Sequence, residues 1–155
     1  MLNENANKGH REGHQTLLTK HPRRVPNILI VDDDVDSALN MDSMFRPLGC
    51  NVEIALDPNE AQRKISSGKA DVIVLDWLLD TRTSADQVVA RAIHLLEKFG
   101  TPHHLARIIT FSSLNASEVK LPFSPYYVHA DHWQKPLRRP ELTRKTQSLL
   151  STLGV

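Results

Sequence analysis

The chain has 155 residues, which fits one domain better than two at about 150 residues per domain. Its 19 basic side chains nearly cancel its 18 acidic ones, which excludes a protein that binds nucleic acid by bulk charge alone. A single cysteine, Cys50, excludes an internal disulfide, no apolar run approaches the roughly 18 residues of a membrane span, and the first residues lack the apolar core of a signal peptide. A soluble, cytoplasmic protein with no membrane partner is therefore expected.

Charge is unevenly spread. Residues 1–26 carry five basic and two acidic groups, residues 138–155 four and one, and the stretch between them ten against fifteen. An acidic centre suits a cation. Residues 1–25 hold few apolar side chains and no sustained periodicity, so they read as a flexible basic N-terminal arm, with His10, His14 and His21 as solvated side chains.

A buried strand is expected at Ile28-Leu29-Ile30-Val31, ending in Asp32-Asp33-Asp34. A helix follows with Ala38, Met41, Phe45 and Leu48 on its apolar face, closed by Gly49. Val52 and Ile54 mark a shorter strand, and Pro58 opens a short helix carrying Ala61 and Ile65. Residues 71–76 repeat the first pattern, an apolar run delivered into Asp76. The strongest helical periodicity comes next: Ser84 as cap, then Ala85, Val88, Val89, Ala92, Leu96 and Phe99, with Gly100 beyond. Ile108-Ile109-Thr110-Phe111 reads as a fourth strand, leading into Ser112-Ser113. Pro122 and Pro125 forbid a long regular helix over 114–130, and a last short strand reaches Gln134-Lys135-Pro136. Pro140 and Glu141 start a final helix that runs to about Leu150. Its basic residues, Arg138, Arg139, Arg144 and Lys145, read as a solvated face, because no nucleic-acid recognition motif accompanies them.

Strands alternating with helices predict an α/β chain: a flavodoxin-like (βα)5 unit, doubly wound around a five-stranded parallel sheet, as one domain over 26–152. Ligands of such sheets bind beyond the carboxyl ends of the strands. Asp32, Asp33, Asp76, Ser112 and Lys135 all follow apolar strands, on four different strands, so the fold gathers them into one cleft. Asp34 or Asp36 can cap the following helix, which leaves the preceding pair for other work. Three carboxylates in one cleft repel one another unless a hard divalent cation joins them, and an oxygen-only donor set suits Mg²⁺. A lysine beside it suits a phosphoryl oxygen.

These residues resemble the receiver domain of two-component response regulators over about 27–150. Ile30-Val31-Asp32-Asp33 is similar to the family's first strand and acidic pair. Val74-Leu75-Asp76-Trp77 is similar to the strand that bears its phosphoacceptor, Phe111-Ser112-Ser113 stands where the family has its hydroxyl residue, and Lys135-Pro136 matches its lysine and cis-proline. The resemblance implies a stand-alone phosphorylation switch. Asp76 would take a phosphoryl group from a sensor histidine kinase or a histidine phosphotransfer protein. Asp32, Asp33, Asp76 and the main-chain carbonyl of Leu78 would hold Mg²⁺, and Lys135 and Ser112 would bind phosphoryl oxygens. Output would pass through contacts with a downstream protein. His132 stands where the family has an aromatic switch residue, with Trp133 beside it; the proline and glycine usual after the phosphoacceptor are replaced by Asp80 and Ser84. Trp77 is expected near the cation. Leu78 and Leu114 are expected beside the phosphoryl group, where apolar side chains would lengthen its life. The alternatives are a non-phosphorylated pseudo-receiver that acts as a binding module, and a Mg²⁺-dependent phosphatase of the haloacid-dehalogenase type. The latter needs an acid/base aspartate two places after Asp76, where Leu78 stands.

Overall fold

The structure is a computed structural model, and it describes residues 24–77, 85–99 and 105–154. Five strands alternate with four α-helices among them: β1 (Asn27–Val31), α1 (Val35–Phe45), β2 (Asn51–Ala55), α2 (Pro58–Ser66), β3 (Val72–Asp76), α3 (Ala85–Phe99), β4 (Ala106–Ser112), β5 (Tyr127–Gln134) and α4 (Arg139–Thr152). All neighbouring strands are parallel, in the order β2-β1-β3-β4-β5. The expected flavodoxin-like sheet and single domain are therefore present.

Strand alternation covers both faces of this sheet. Leu29, Val31, Ile73, Leu75 and Ile108 point into one core cluster with residues of α2 and α3. Ile28, Ile30, Val72, Val74 and Ile109 point into the other, with residues of α1 and α4. A parallel sheet buried on two sides needs such continuous apolar runs, which is why β1 and β3 are legible as strands without alternation.

Three elements differ from expectation. The first helix stops at Phe45, and Arg46–Leu48 form a 3-10 turn, because Pro47 has no N–H to extend the α-helical ladder. Leu48 is accordingly exposed and not a core residue, while Gly49 takes the left-handed conformation (φ 86°) that ends the turn. Between β4 and β5 there is no α-helix: the crossover is a loop with one 3-10 turn, Ala116–Glu118, so only four of the five expected helices form among the described residues. Buried Val119 and half-buried Leu121 and Tyr126 cover the sheet there in the helix's place. Finally, β5 is eight residues long, not short, and it carries a bulge: Ile108 pairs with His129 but Ile109 with Asp131, leaving Ala130 as an extra residue.

Most of the arm, with His10, His14 and His21, lies outside the described residues, as do Ser84 and Gly100. Arg24, counted with the arm, is fixed: its guanidinium donates to Asp71 Oδ1 at 2.9 Å, and Asp71 Oδ2 accepts from the Asn27 N–H at 2.7 Å. Cys50 is buried, and burial pushes its thiol pKa up, in keeping with a packing role. No described helix is long and apolar enough to cross a membrane.

Candidate functional site

The chain leaves β1 to build β2 on one side of it and then crosses to β3 on the other, so the carboxyl ends of β1 and β3 frame the point where the winding reverses. Asp32 and Asp33 follow β1 directly, and Asp76 is the last residue of β3. One carboxylate oxygen from each lies within 4.8 Å of the others. Asp32 and Asp76 are buried, while Asp33 is exposed at the mouth.

Local hydrogen bonds hold this cluster. The Asp32 N–H donates to the Ala55 carbonyl at 3.1 Å, tying the turn to the end of β2. The Asp34 N–H donates to Asp32 Oδ1 at 2.9 Å and aims that carboxylate. Asp34 itself caps α1 by accepting from the Asp36 N–H at 3.1 Å, so the capping job falls to Asp34 and spares the acidic pair.

Lys135 closes the cleft from the end of β5. Its Nζ lies 3.9 Å from Asp76 Oδ1 and 4.7 Å from the centre of the Phe111 ring, so it is steered by a carboxylate and an aromatic face together. The Lys135 N–H donates to the Ser112 carbonyl at 2.7 Å, and the Lys135-Pro136 bond is cis. A two-thirds buried lysine beside three carboxylates is a compact cation placed for an anion that the carboxylates alone would repel.

Ser112, the last residue of β4, is buried, and its Oγ accepts from the Leu114 N–H at 3.1 Å. The Leu114 side chain is half-buried against the α2/α3 core cluster, and its main chain, not its side chain, is what the structure ties to Ser112. The Trp77 indole is buried in the same cluster, one residue beyond Asp76. The Trp77 N–H donates to the Phe111 carbonyl at 3.3 Å, which fixes the chain just past the carboxylate. Leu78, expected to offer its carbonyl to the cation, lies outside the described residues, as does Asp80.

His132 is half-buried and held at both ring nitrogens, Nδ1 to Thr110 Oγ1 at 2.8 Å and Nε2 to the Leu114 carbonyl at 2.7 Å. It faces inward and is not a surface side chain. Thr110, with no exposed surface, and His129, whose Nε2 also lies 2.8 Å from Thr110 Oγ1, were not singled out in the sequence reading. The available signal was the one polar residue inside the apolar run Ile108-Ile109-Thr110-Phe111, since a buried hydroxyl requires a partner.

The three-carboxylate set fits a hard divalent cation: all donors are oxygens, two are buried, and their mutual repulsion is relieved by positive charge. Such a centre next to a lysine can bind and neutralise a phosphoryl group.

No protein-family model matches the sequence, and no curated protein matches it. Solved structures do match. A CheY-like response regulator receiver domain from Methylobacillus flagellatus aligns with a TM-score of 0.60 at 17% identity, over 81% of this chain and 99% of that one. A two-component response regulator from Clostridium difficile aligns with a TM-score of 0.60 at 20% identity, over 84% of this chain and 99% of its own. The receiver domain of a Francisella response regulator gives 0.58 at 23% identity, over 83% and 98%. The chain thus has the fold of the CheY-like response regulator receiver domains, over most of its length.

Proposed function

We propose that this receiver-fold protein is a phosphorylation switch of two-component signalling in which Asp76 is the phosphoacceptor. The observation that carries the reading is the convergence of the Asp32, Asp33 and Asp76 carboxylates within 4.8 Å, with Lys135 Nζ 3.9 Å from Asp76. The donor would be the phosphohistidine of a sensor histidine kinase or a histidine phosphotransfer protein. An Asp76 carboxylate oxygen attacks phosphorus, the P–N bond to the donor imidazole breaks as the P–O bond forms, and the imidazole nitrogen keeps the electron pair and takes up a proton from solvent.

Asp32, Asp33 and Asp76, with the Leu78 carbonyl, would hold Mg²⁺, whose positive charge offsets the charge that builds on the phosphoryl oxygens. Lys135 supplies a second positive charge against the same oxygens and replaces part of their lost hydration. Ser112 offers a hydroxyl donor once the group has arrived. Hydrolysis of the acyl phosphate by water returns Asp76 to a carboxylate and resets the protein. Output passes through contacts with a downstream protein, on a domain that spans 26–152.

The test is intact mass after incubation with acetyl phosphate and Mg²⁺. One added phosphoryl group is expected in the wild type, and none in Asp76→Asn or with the metal chelated. Labelling of Asp76→Asn as strong as wild type would refute the assignment. An unlabelled wild type that still binds a partner would be the pseudo-receiver instead, and continuous release of phosphate from a generic ester would indicate the phosphatase.

A further inference from the structure

Thr110 lies two residues before Ser112 in β4, and its side chain has no exposed surface. Two imidazoles from β5 converge on its hydroxyl, His129 Nε2 at 2.8 Å and His132 Nδ1 at 2.8 Å. Residues three apart on a regular strand face opposite ways. The extra residue Ala130 reverses that: His129 pairs with Ile108 and His132 with Thr110, so both rings lie on the Thr110 face.

The direction of these bonds follows from the last of them. His132 Nε2 lies 2.7 Å from the Leu114 carbonyl, and a carbonyl oxygen only accepts, so the tautomer assigned by that partner carries its hydrogen on Nε2. In the neutral ring Nδ1 is then an acceptor, the Thr110 hydroxyl donates to it, and the Thr110 oxygen accepts from the His129 Nε2–H. Donation runs one way, from His129 through Thr110 and His132 to Leu114. The Leu114 N–H in turn donates to Ser112 Oγ at 3.1 Å.

We propose that His129, Thr110 and His132 are positioning residues, a hydrogen-bonded relay that fixes Leu114 and through it the Ser112 hydroxyl, and that registers an anion on Asp76 at the edge strand β5. The proposal rests on the reading of Asp76 as phosphoacceptor with Ser112 as a phosphoryl ligand. When Ser112 turns its hydroxyl to a phosphoryl oxygen, Leu114 is pulled or released, and its carbonyl carries the displacement to His132. The Thr110 hydroxyl also lies 3.5 Å from the Asp131 carbonyl, at the long limit of a hydrogen bond, so the two rings at 2.8 Å are its close partners.

Charged groups flank the relay on β4, β5, the 3-10 turn and α4. On β5, Asp131 is committed to the His132 N–H at 2.8 Å and the Trp133 indole N–H at 3.0 Å. On the 3-10 turn, Glu118 accepts from the Asn115 N–H at 2.7 Å. On the α4 side of the sheet, Arg107, Arg144 and Lys145 line a groove that His129 and Asp131 also border. Burial holds the His129 pKa below the ordinary histidine value, against a raising backbone hydrogen bond at Asp131, and the adjacent His132 lowers it further.

The probe is beryllofluoride with Mg²⁺, an unreactive mimic of a carboxylate-bound phosphoryl group, added to the full chain. Its binding is read by the ¹⁹F signal of the bound fluoride, and the relay by the imidazole ¹H–¹⁵N resonances at constant pH. In the wild type the bound mimic is expected to displace the resonances of both His129 and His132. Thr110→Val, which keeps shape and removes the hydroxyl, is expected to abolish the His129 displacement, while Thr110→Ser restores it. A bound mimic with unmoved His129 in the wild type overturns the relay alone, and so does a wild-type response in Thr110→Val. If no fluoride binds, the phosphoacceptor reading fails and the relay falls with it.

Discussion

Two buried carboxylates a few ångströms apart repel by about 3 kcal/mol at an effective dielectric of about 20, so the site stores unfavourable energy that a cation releases. Asp33 adds a third charge at the exposed mouth, within 4.8 Å of the other two. Asp33→Asn is therefore expected to raise the thermal midpoint measured in EDTA and to shrink the rise caused by Mg²⁺. In the wild type, Mg²⁺ at about a hundred times its Kd contributes about 2.7 kcal/mol, which for a domain of this size is roughly 5–10 °C in differential scanning calorimetry. An unchanged Mg²⁺ response in Asp33→Asn would place the cation elsewhere. Trp77, buried one residue beyond Asp76, gives a second readout: Mg²⁺ is expected to change tryptophan emission, and Trp133→Phe to preserve most of that change. Loss of the signal in Trp133→Phe would mean that Trp77 does not sense the ion.

Among the elements, β5 departs furthest from its sequence pattern, and it does the most to build the site. The bulge at Ala130 sets which way each of the next five residues points. With it, Trp133 enters the α1/α4 core at 1% exposure, His132 faces Thr110, and Lys135 reaches Asp76. Inserting one residue after Asp131, beyond the bulge, shifts the register by one and turns these side chains to the opposite face. The expected cost is at least that of removing a buried tryptophan, about 3–5 kcal/mol, seen as a lower denaturant midpoint. Labelling of Asp76 should fall with it, because the lysine leaves the cleft. An insertion variant of wild-type stability would show that β5 slips without penalty. The missing β4–β5 helix, by contrast, has a local cause. Pro122 and Pro125 break any helical ladder there, and the loop packs instead through Val119, Tyr126 and Tyr127, whose hydroxyl donates to the Pro122 carbonyl. Burial pushes the Tyr127 phenol up to about 12.

For the whole molecule, His129 makes stability depend on pH. Burial lowers its folded pKa below the ordinary value of 6.5, so the unfolded chain takes the proton more readily than the folded one. The contribution is fully present above pH 6.5 and is lost as pH falls through the lower folded value. Urea unfolding is thus expected to show a declining midpoint below pH 6.5, and His129→Gln, which keeps a side-chain donor, a flatter profile over that range. A wild-type slope retained in His129→Gln would assign the effect to other groups.

The sequence by itself determined the sheet and most of the cleft. Ile28-Leu29-Ile30-Val31 and Val72-Ile73-Val74-Leu75 are too apolar for anything but strands buried on both faces, and each ends in aspartate. The helices between them leave parallel pairing as the solution, which brings Asp32, Asp33, Asp76, Ser112 and Lys135 to one end of the sheet. Their residue types then name a cation and an anion as ligands. Only the tertiary structure decided how the β4–β5 half is built. A bulge has no local signature in Tyr-Val-His-Ala-Asp-His-Trp-Gln, because its cause is the competition between Tyr127, Trp133 and Lys135 for positions on a sheet already packed on both faces. The orientation of His132, the recruitment of Thr110 and His129, and the use of the Leu114 main chain follow from that register. Each depends on a partner about 18 to 22 residues away in the chain, a distance at which local patterning carries no information.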